Sequence, residues 1–254
     1  MTTATPPPSP PEPTTRATDH SPGARVALVT GANKGLGRET VRRLLAAGLD
    51  VYLASRDAER GRVAAGELGA RALQLDITDD ASVTAAAEQV RREVGHLDVL
   101  VNNAAVVGAL DRTTEQVDAE DLRVVHETNV LGLVRVTHAF LPLLQTSPAG
   151  VVVNVSSGMG SLGRTSDPTA MESRWPSLAY ASSKAAVNML TVQYAKAFPT
   201  LRINAVDPGL TATDATGGMG KDITEGVQAA VAMALIGADG PTATFTDSDG
   251  PVPW

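Results

Sequence analysis

A doubly wound α/β domain, one parallel sheet with helices on both faces, is predicted by three observations. Short apolar runs rich in Val, Leu and Ile alternate with helical patterns along the chain. The first run ends in a glycine-rich turn that opens a helix. The 254 residues are 43% hydrophobic, enough to fill one sizeable core. Strands that alternate with helices pair in parallel, since each helix carries the chain back to the same end of the sheet and covers one of its faces.

The elements follow in order. Residues 25–30 form an apolar strand, followed by Gly31, Gly35 and Gly37 and a helix with Leu36, Val41, Leu44 and Leu45 on one stripe and Gly48 as its stop. Residues 50–55 read as the second strand and 57–68 as its helix. Residues 71–76 read as the third strand, and 79–94 as a helix whose opening Asp79 can cap the first turn. Residues 97–102 form the fourth strand, and 118–144 a long helix interrupted near Pro142. A fifth strand (151–156), a helix (178–198), a sixth strand (201–206), a last helix (224–236) and an edge strand near 243–246 complete the pattern. Right-handed crossovers between such units give a Rossmann-type sheet, in which ligands bind beyond the carboxyl ends of the strands. Residues 1–23 are rich in Pro and Thr and poor in large apolar side chains, so they are predicted to be a disordered tail outside the domain of residues 24–254.

Composition excludes several functions. A net charge of −7 argues against nucleic acid or an anionic membrane surface as partner. With no cysteine there is no disulfide, zinc thiolate or cysteine nucleophile. No apolar run reaches the ~18 residues of a membrane span, and the start lacks the basic and apolar stretches of a signal peptide, so a cytoplasmic protein is expected. His20, His96, His126 and His138 stand singly, without metal-ligand spacing, and no metal site is expected.

The chemistry-bearing residues lie at strand ends or on the helices that follow them. Tyr180 and Lys184, four apart on a helix, share a face. A cation beside a phenol favours the phenolate and makes the tyrosine a usable acid or base near neutral pH. Taken alone, the pair also describes a solvated helix face. Glycines in a strand-to-helix turn let the backbone approach a pyrophosphate, while the helix N-terminus supplies amides and a positive dipole end. The spacing here is G-x-x-x-G-x-G, unlike the G-x-G-x-x-G fingerprint.

Four signals stand in one order: Gly31-x-x-x-Gly35-x-Gly37, Asn102-Asn103-Ala104, Ser156-Ser157 and Tyr180-x-x-x-Lys184. From about Arg25 onward the chain resembles the short-chain dehydrogenase/reductase family. The stretches around Lys34 and Arg56 are most similar to its carbonyl reductase branch. The resemblance implies a catalytic set of Ser157, Tyr180, Lys184 and Asn129. Tyr180 would donate the proton to a carbonyl oxygen, and Ser157 rather than Ser156 would hold that oxygen. Lys184 would lower the tyrosine pKa and bond the nicotinamide ribose, and Asn129 would anchor a water relay behind the lysine. It implies a dinucleotide held by Gly31, Asn33, Lys34, Gly35, Leu36 and Gly37. Asp76 and Ile77 would flank the adenine, and Asn103 would lie near the adenosine ribose. Pro208, Gly209, Thr211 and Thr213 would meet the carboxamide, with Tyr180 and Lys184 also in contact. The expected activity is NADPH-dependent reduction of a ketone, aldehyde or quinone. Alcohol oxidation, tailoring of a biosynthetic intermediate, or non-catalytic dinucleotide sensing are the alternatives. A homodimer, a homotetramer or a monomer are all compatible with the sequence.

NADP(H) is expected from two cations. Where NAD-preferring sites carry an acidic residue at the end of the second strand, this chain has Ser55 followed by Arg56. A guanidinium binds a 2′-phosphate through paired charge-assisted bonds, and Lys34 adds a second charge. Two features depart from the family pattern. Ala105 replaces a glycine after Asn102-Asn103-Ala104. Ser157 and Tyr180 are 23 positions apart, a longer interval than the commonest members have. The extra segment, residues 163–176, is expected over the substrate pocket.

Overall fold

A computed structural model describes residues 23–108 and 112–254. The tail expected at residues 1–23 therefore lies, apart from Gly23, outside the described residues. The elements are β1 (Val26–Val29), α1 (Gly35–Ala46), β2 (Asp50–Ser55), α2 (Ala58–Leu68), β3 (Arg71–Gln74), α3 (Asp80–Glu93), β4 (Val99–Asn102) and α4 (Ala119–His126). They continue with α5 (Leu133–Leu144), β5 (Val151–Val155), α6 (Leu162–Ser166), α7 (Leu178–Ala197), β6 (Arg202–Val206), α8 (Ile223–Gly226), α9 (Gln228–Ala234) and β7 (Phe245–Thr246). The strands form one seven-stranded parallel sheet in the order β3-β2-β1-β4-β5-β6-β7. Strand order reverses between β1 and β4, so a crevice opens at their carboxyl ends, beside Thr30 and Asn102.

Alternation along the strands builds two cores. Leu28, Tyr52, Leu100 and Val152 point to one face, with Phe140 and Ile203. Their neighbours Val29, Leu53, Val101 and Val153 point to the other, with Val41 and Leu44 of α1. Helix starts follow local capping chemistry. The Asp57 carboxylate accepts from Arg60 N–H, Asp79 from Ala81 N–H, and Asp118 from Glu120 and Asp121 N–H. Gly48, at φ 86°, takes the left-handed conformation after α1 at almost no steric cost.

Two expectations need correction. The long helix of residues 118–144 is interrupted at a π-helical turn, Glu127–Gly132, and Pro142 lies within α5. The turn is where Gly132 presses on Ile77, with room for no β-carbon: one built there would sit 2.7 Å from the Ile77 side chain. The last helix is broken in two at Val227. Ala105, by contrast, introduces no backbone strain, since Ala243 is the one non-glycine residue at positive φ among the described residues.

Candidate active site

Glycine geometry explains the turn after β1. A β-carbon on Gly31 would lie 2.9 Å from Ala104 Cα, and one on Gly37 would lie 2.5 Å from Asn103 Nδ2. Both positions are therefore closed to larger residues by packing against the strand end of β4. Gly35 differs: its φ is +57°, and a β-carbon would point into open space with only Thr213 Cγ2 near, at 3.9 Å. The N-terminus of α1 has no side-chain cap at Lys34, which leaves its first amides for a ligand. Uncapped amides, a glycine facing an open mouth and nearby cations fit a dinucleotide phosphate. Asn33 and Lys34 line an adjoining groove of about 370 Å³ with Arg38, Glu59 and Arg60. Arg38, on α1, and Arg60, on α2, escaped the sequence reading, since only the fold brings these two helices to one groove.

The remaining dinucleotide candidates surround this crevice. Arg56 is exposed at the end of β2, and its charge helps hold the Asp76 carboxyl below the usual range, after the hydrogen bonds from Thr78. Ser55 is buried and donates to Asp57 O at 3.0 Å. Lys34 Nζ meets Asp214 Oδ2 at 2.7 Å, with both side chains largely exposed. An exposed pair of this kind contributes little to stability, so Lys34 can exchange it for a phosphate. Asn103 is committed to the turn itself, donating from Nδ2 to Thr30 O at 2.8 Å and to Gly31 O at 3.3 Å. Leu36 O accepts from Thr40 within α1. After β6, Asp207 Oδ1 accepts from Gly209 N–H at 2.8 Å, and Thr211 Oγ1 donates to Pro208 O at 3.0 Å. Thr213 begins a short helical turn closed by Thr216.

The candidate catalytic residues come together where β5 ends against α7. Ser156 turns into the core, buried and donating to Asn188 Oδ1 at 2.6 Å. Ser157, one position on, is half-buried; its Oγ accepts from Met159 N–H at 3.2 Å, and its hydroxyl is close enough to Tyr180 to favour the phenolate. Lys184 is buried; its Nζ donates to Val155 O at 2.7 Å and lies 5.6 Å from the Tyr180 ring centroid. The π-helical turn brings Asn129 inward, buried, where Oδ1 accepts from Val106 N–H at 2.8 Å and Nδ2 donates to Val106 O at 2.9 Å and Ser183 Oγ at 3.0 Å. Asn129, Ile77, Thr30 and Lys184 together line one small internal cavity.

The electrostatics differ from those expected of a Tyr–Lys pair. Burial pushes the Tyr180 phenol up to about 12; the Ser157 hydroxyl pulls against this, and the Asp207 charge pushes further up. Burial brings Lys184 down to about 8, opposed by Asp207. Desolvation is the largest cause of both shifts: Lys184 is buried and Tyr180 is half-buried against it. A phenol at that value is fully protonated at neutral pH, as a proton donor must be.

The insertion is anchored from below. Arg164, on α6, reaches Asp207 Oδ2 at 3.0 Å, Glu172 Oε1 at 3.3 Å and Asp247 Oδ2 at 2.6 Å. The C-terminal residues pack on its first turn: Ser161 Oγ donates to Pro253 O at 2.6 Å, and Gly163 N–H to Trp254 O at 3.0 Å. Among the described residues, no helix is long and apolar enough to cross a membrane.

Residues 25–224 match the short chain dehydrogenase family. The (−)-isopiperitenone reductase of Mentha piperita is 34% identical, across 89% of this chain and 96% of that protein. Carbonyl reductase [NADPH] 1 of Sus scrofa is 34% identical, across 92% of this chain and 96% of that protein. The structure of salutaridine reductase from Papaver somniferum superposes with a TM-score of 0.78 at 30% identity, covering 88% of this chain and 99% of that one.

Proposed function

The chain belongs to the short chain dehydrogenase family, is an NAD(P)-dependent oxidoreductase, and on that premise we propose that it reduces a small-molecule ketone, aldehyde or quinone with NADPH. One observation carries the reading. Tyr180 lies beside Ser157 at the carboxyl end of β5, with Lys184 Nζ 5.6 Å from the Tyr180 ring and held by Val155 O. Two neighbouring hydroxyls, one of them a protonated phenol, suit an oxygen that gains charge and then a proton.

NADPH would rest on the α1 N-terminus at Gly35, Leu36 and Gly37, with its 2′-phosphate toward Lys34 and Arg56, and when bound it supplies the hydride. Ser157 holds the substrate carbonyl oxygen by donating a hydrogen bond. Tyr180 passes its proton to that oxygen as charge develops there. Lys184, fixed by Val155 O, presents its ammonium toward the resulting phenolate and toward the ribose. Asn129 keeps Val106 and Ser183 in place behind the lysine. The relatives named salutaridine reductase and carbonyl reductase [NADPH] 1 support reduction, and the second of them a carbonyl as the substrate group.

The test is NADPH consumption by the purified protein with a panel of cyclic ketones, aldehydes and quinones, each run also with NADH. Reduction of at least one carbonyl class, with NADPH preferred, is expected. Turnover only in the direction of alcohol oxidation, or dinucleotide binding with no turnover on any panel member, would overturn it.

A further inference from the structure

Asp207 stands at the junction of three parts of the site. It is buried, 3% exposed, directly after β6. One carboxylate oxygen holds the Pro208-Gly209 turn through Gly209 N–H at 2.8 Å. The other takes Arg164 from the insertion at 3.0 Å. A β-carbon on Gly158, the residue after Ser157, would lie 2.8 Å from Asp207 Oδ2, 2.4 Å from Glu172 Oε1 and 3.2 Å from Arg164 Nη1. The ion cluster is therefore packed directly against the strand end that carries Ser157. Arg164 alone, among these contacts, faces three carboxylates: Asp207, Glu172 and Asp247. Lys184 and Tyr180, on α7, both feel the Asp207 charge, and Lys221 lies beyond Gly209, with Nζ 3.4 Å from Ser248 Oγ.

We propose that Arg164 is a positioning residue for the Tyr180–Lys184 centre: its guanidinium neutralises the buried Asp207 carboxylate and clamps the 163–176 insertion onto the loop after β6. The inference deepens the carbonyl reductase reading and rests on it for its kinetic consequence only. Lysine cannot replace arginine fully here, because three carboxylates converge from different directions on a planar fork of five donors. Burial raises the Asp207 carboxyl, opposed by backbone amides and then by Arg164; without Arg164, and above that raised value, the Asp207 charge acts on α7 uncompensated. An anion near an ammonium favours its charged form, and near a phenol it favours the neutral form. Lys184 should then titrate higher, and the insertion should lose its tie to the Gly209 turn.

The chain has four lysines, Lys34, Lys184, Lys196 and Lys221, so each is resolvable by NMR after labelling with ε-¹³C lysine, with Lys184→Met assigning the signal of interest. In the wild type the Lys184 signal should titrate near 8. Arg164→Met should move it up by about half a unit or more, Arg164→Lys should move it less, and Arg164→Met with Asp207→Asn should reverse the rise. Asp207→Asn alone, which leaves Arg164 with two carboxylates, should move Lys184 down. In the reductase assay kcat of Arg164→Met should fall roughly tenfold with a shifted pH profile, and Arg164→Lys should recover part of it. A Lys184 signal that titrates at the wild-type value in Arg164→Met, or that does not fall in Asp207→Asn, would overturn the proposal. If Lys184 moves as expected while no carbonyl is reduced by wild type, the functional reading fails and the coupling stands.

Discussion

Gly160→Ala tests how tightly the sheet positions the reacting residues. Gly160 is buried in the short helical turn after Ser157, and its carbonyl accepts from Asn188 Nδ2 at 3.1 Å. A β-carbon there would lie 2.6 Å from Lys184 C, 2.8 Å from Lys184 Cβ and 2.9 Å from Lys184 O. Ordinary carbon contacts begin near ~3.5 Å, so α7 or the turn has to give by roughly 0.7 Å on average. The contacted atoms are mainly backbone of α7, which no rotamer change can move. Overpacking of this kind costs about 1–3 kcal/mol. Displacing Tyr180 and Lys184 relative to Ser157 by a large fraction of an ångström should lower kcat roughly 10- to 100-fold. Gly66→Ala is the control: it sits in exposed α2 with nothing within 4 Å of the added carbon, so it should leave activity unchanged and add about 0.5–1 kcal/mol. The assay is thermal unfolding and NADPH-coupled carbonyl reduction on both variants. A Gly160→Ala protein with wild-type kcat and melting temperature would refute the reasoning, since it would mean that α7 is free to shift without consequence.

Three further outcomes are expected. Tyr180→Phe should abolish turnover while dinucleotide still binds, measured by fluorescence titration beside the kinetic assay, because it deletes the donor hydroxyl and keeps the ring. Wild-type NADPH preference, in kcat/KM, should be at least ~10-fold, about 1.4 kcal/mol, and Arg56→Asp should erase or reverse it by setting a carboxylate against the 2′-phosphate. Stability should also depend on Lys184: burial lowers its folded-state value from 10.5 to about 8, so the cost of burying the charge is full below pH 8 and is relieved as pH rises to 10.5. That relief is of order 3 kcal/mol and should be missing from the pH dependence of unfolding in Lys184→Met, measured by denaturant titration between pH 7.5 and 10.

Much of the fold was legible because it follows local chemistry. The apolar runs became β1, β2 and β5 within a residue or so of their expected limits, since a strand buried on both faces is a continuous hydrophobic run. The weak edge at 243–246 became β7, paired with β6 through Phe245 and Thr246. The break in the long helix was misplaced at Pro142 because proline is the visible local signal. The actual interruption ends at Gly132, packed on Ile77, a contact 55 positions away in sequence.

Residue type and order alone determined the alternating sheet and the glycine turn, and supplied the expectation of a Ser157, Tyr180 and Lys184 set and of cations at Lys34 and Arg56. Each is a short-range pattern whose spacing carries its meaning. Only the tertiary structure decided that Ser156 turns into the core to Asn188, that burial holds the phenol up at about 12, and that Arg164 gathers Asp207, Glu172 and Asp247. Those outcomes depend on desolvation and on contacts between residues tens of positions apart. Neither quantity exists until the strands close and water leaves, so no local window of the chain contains them.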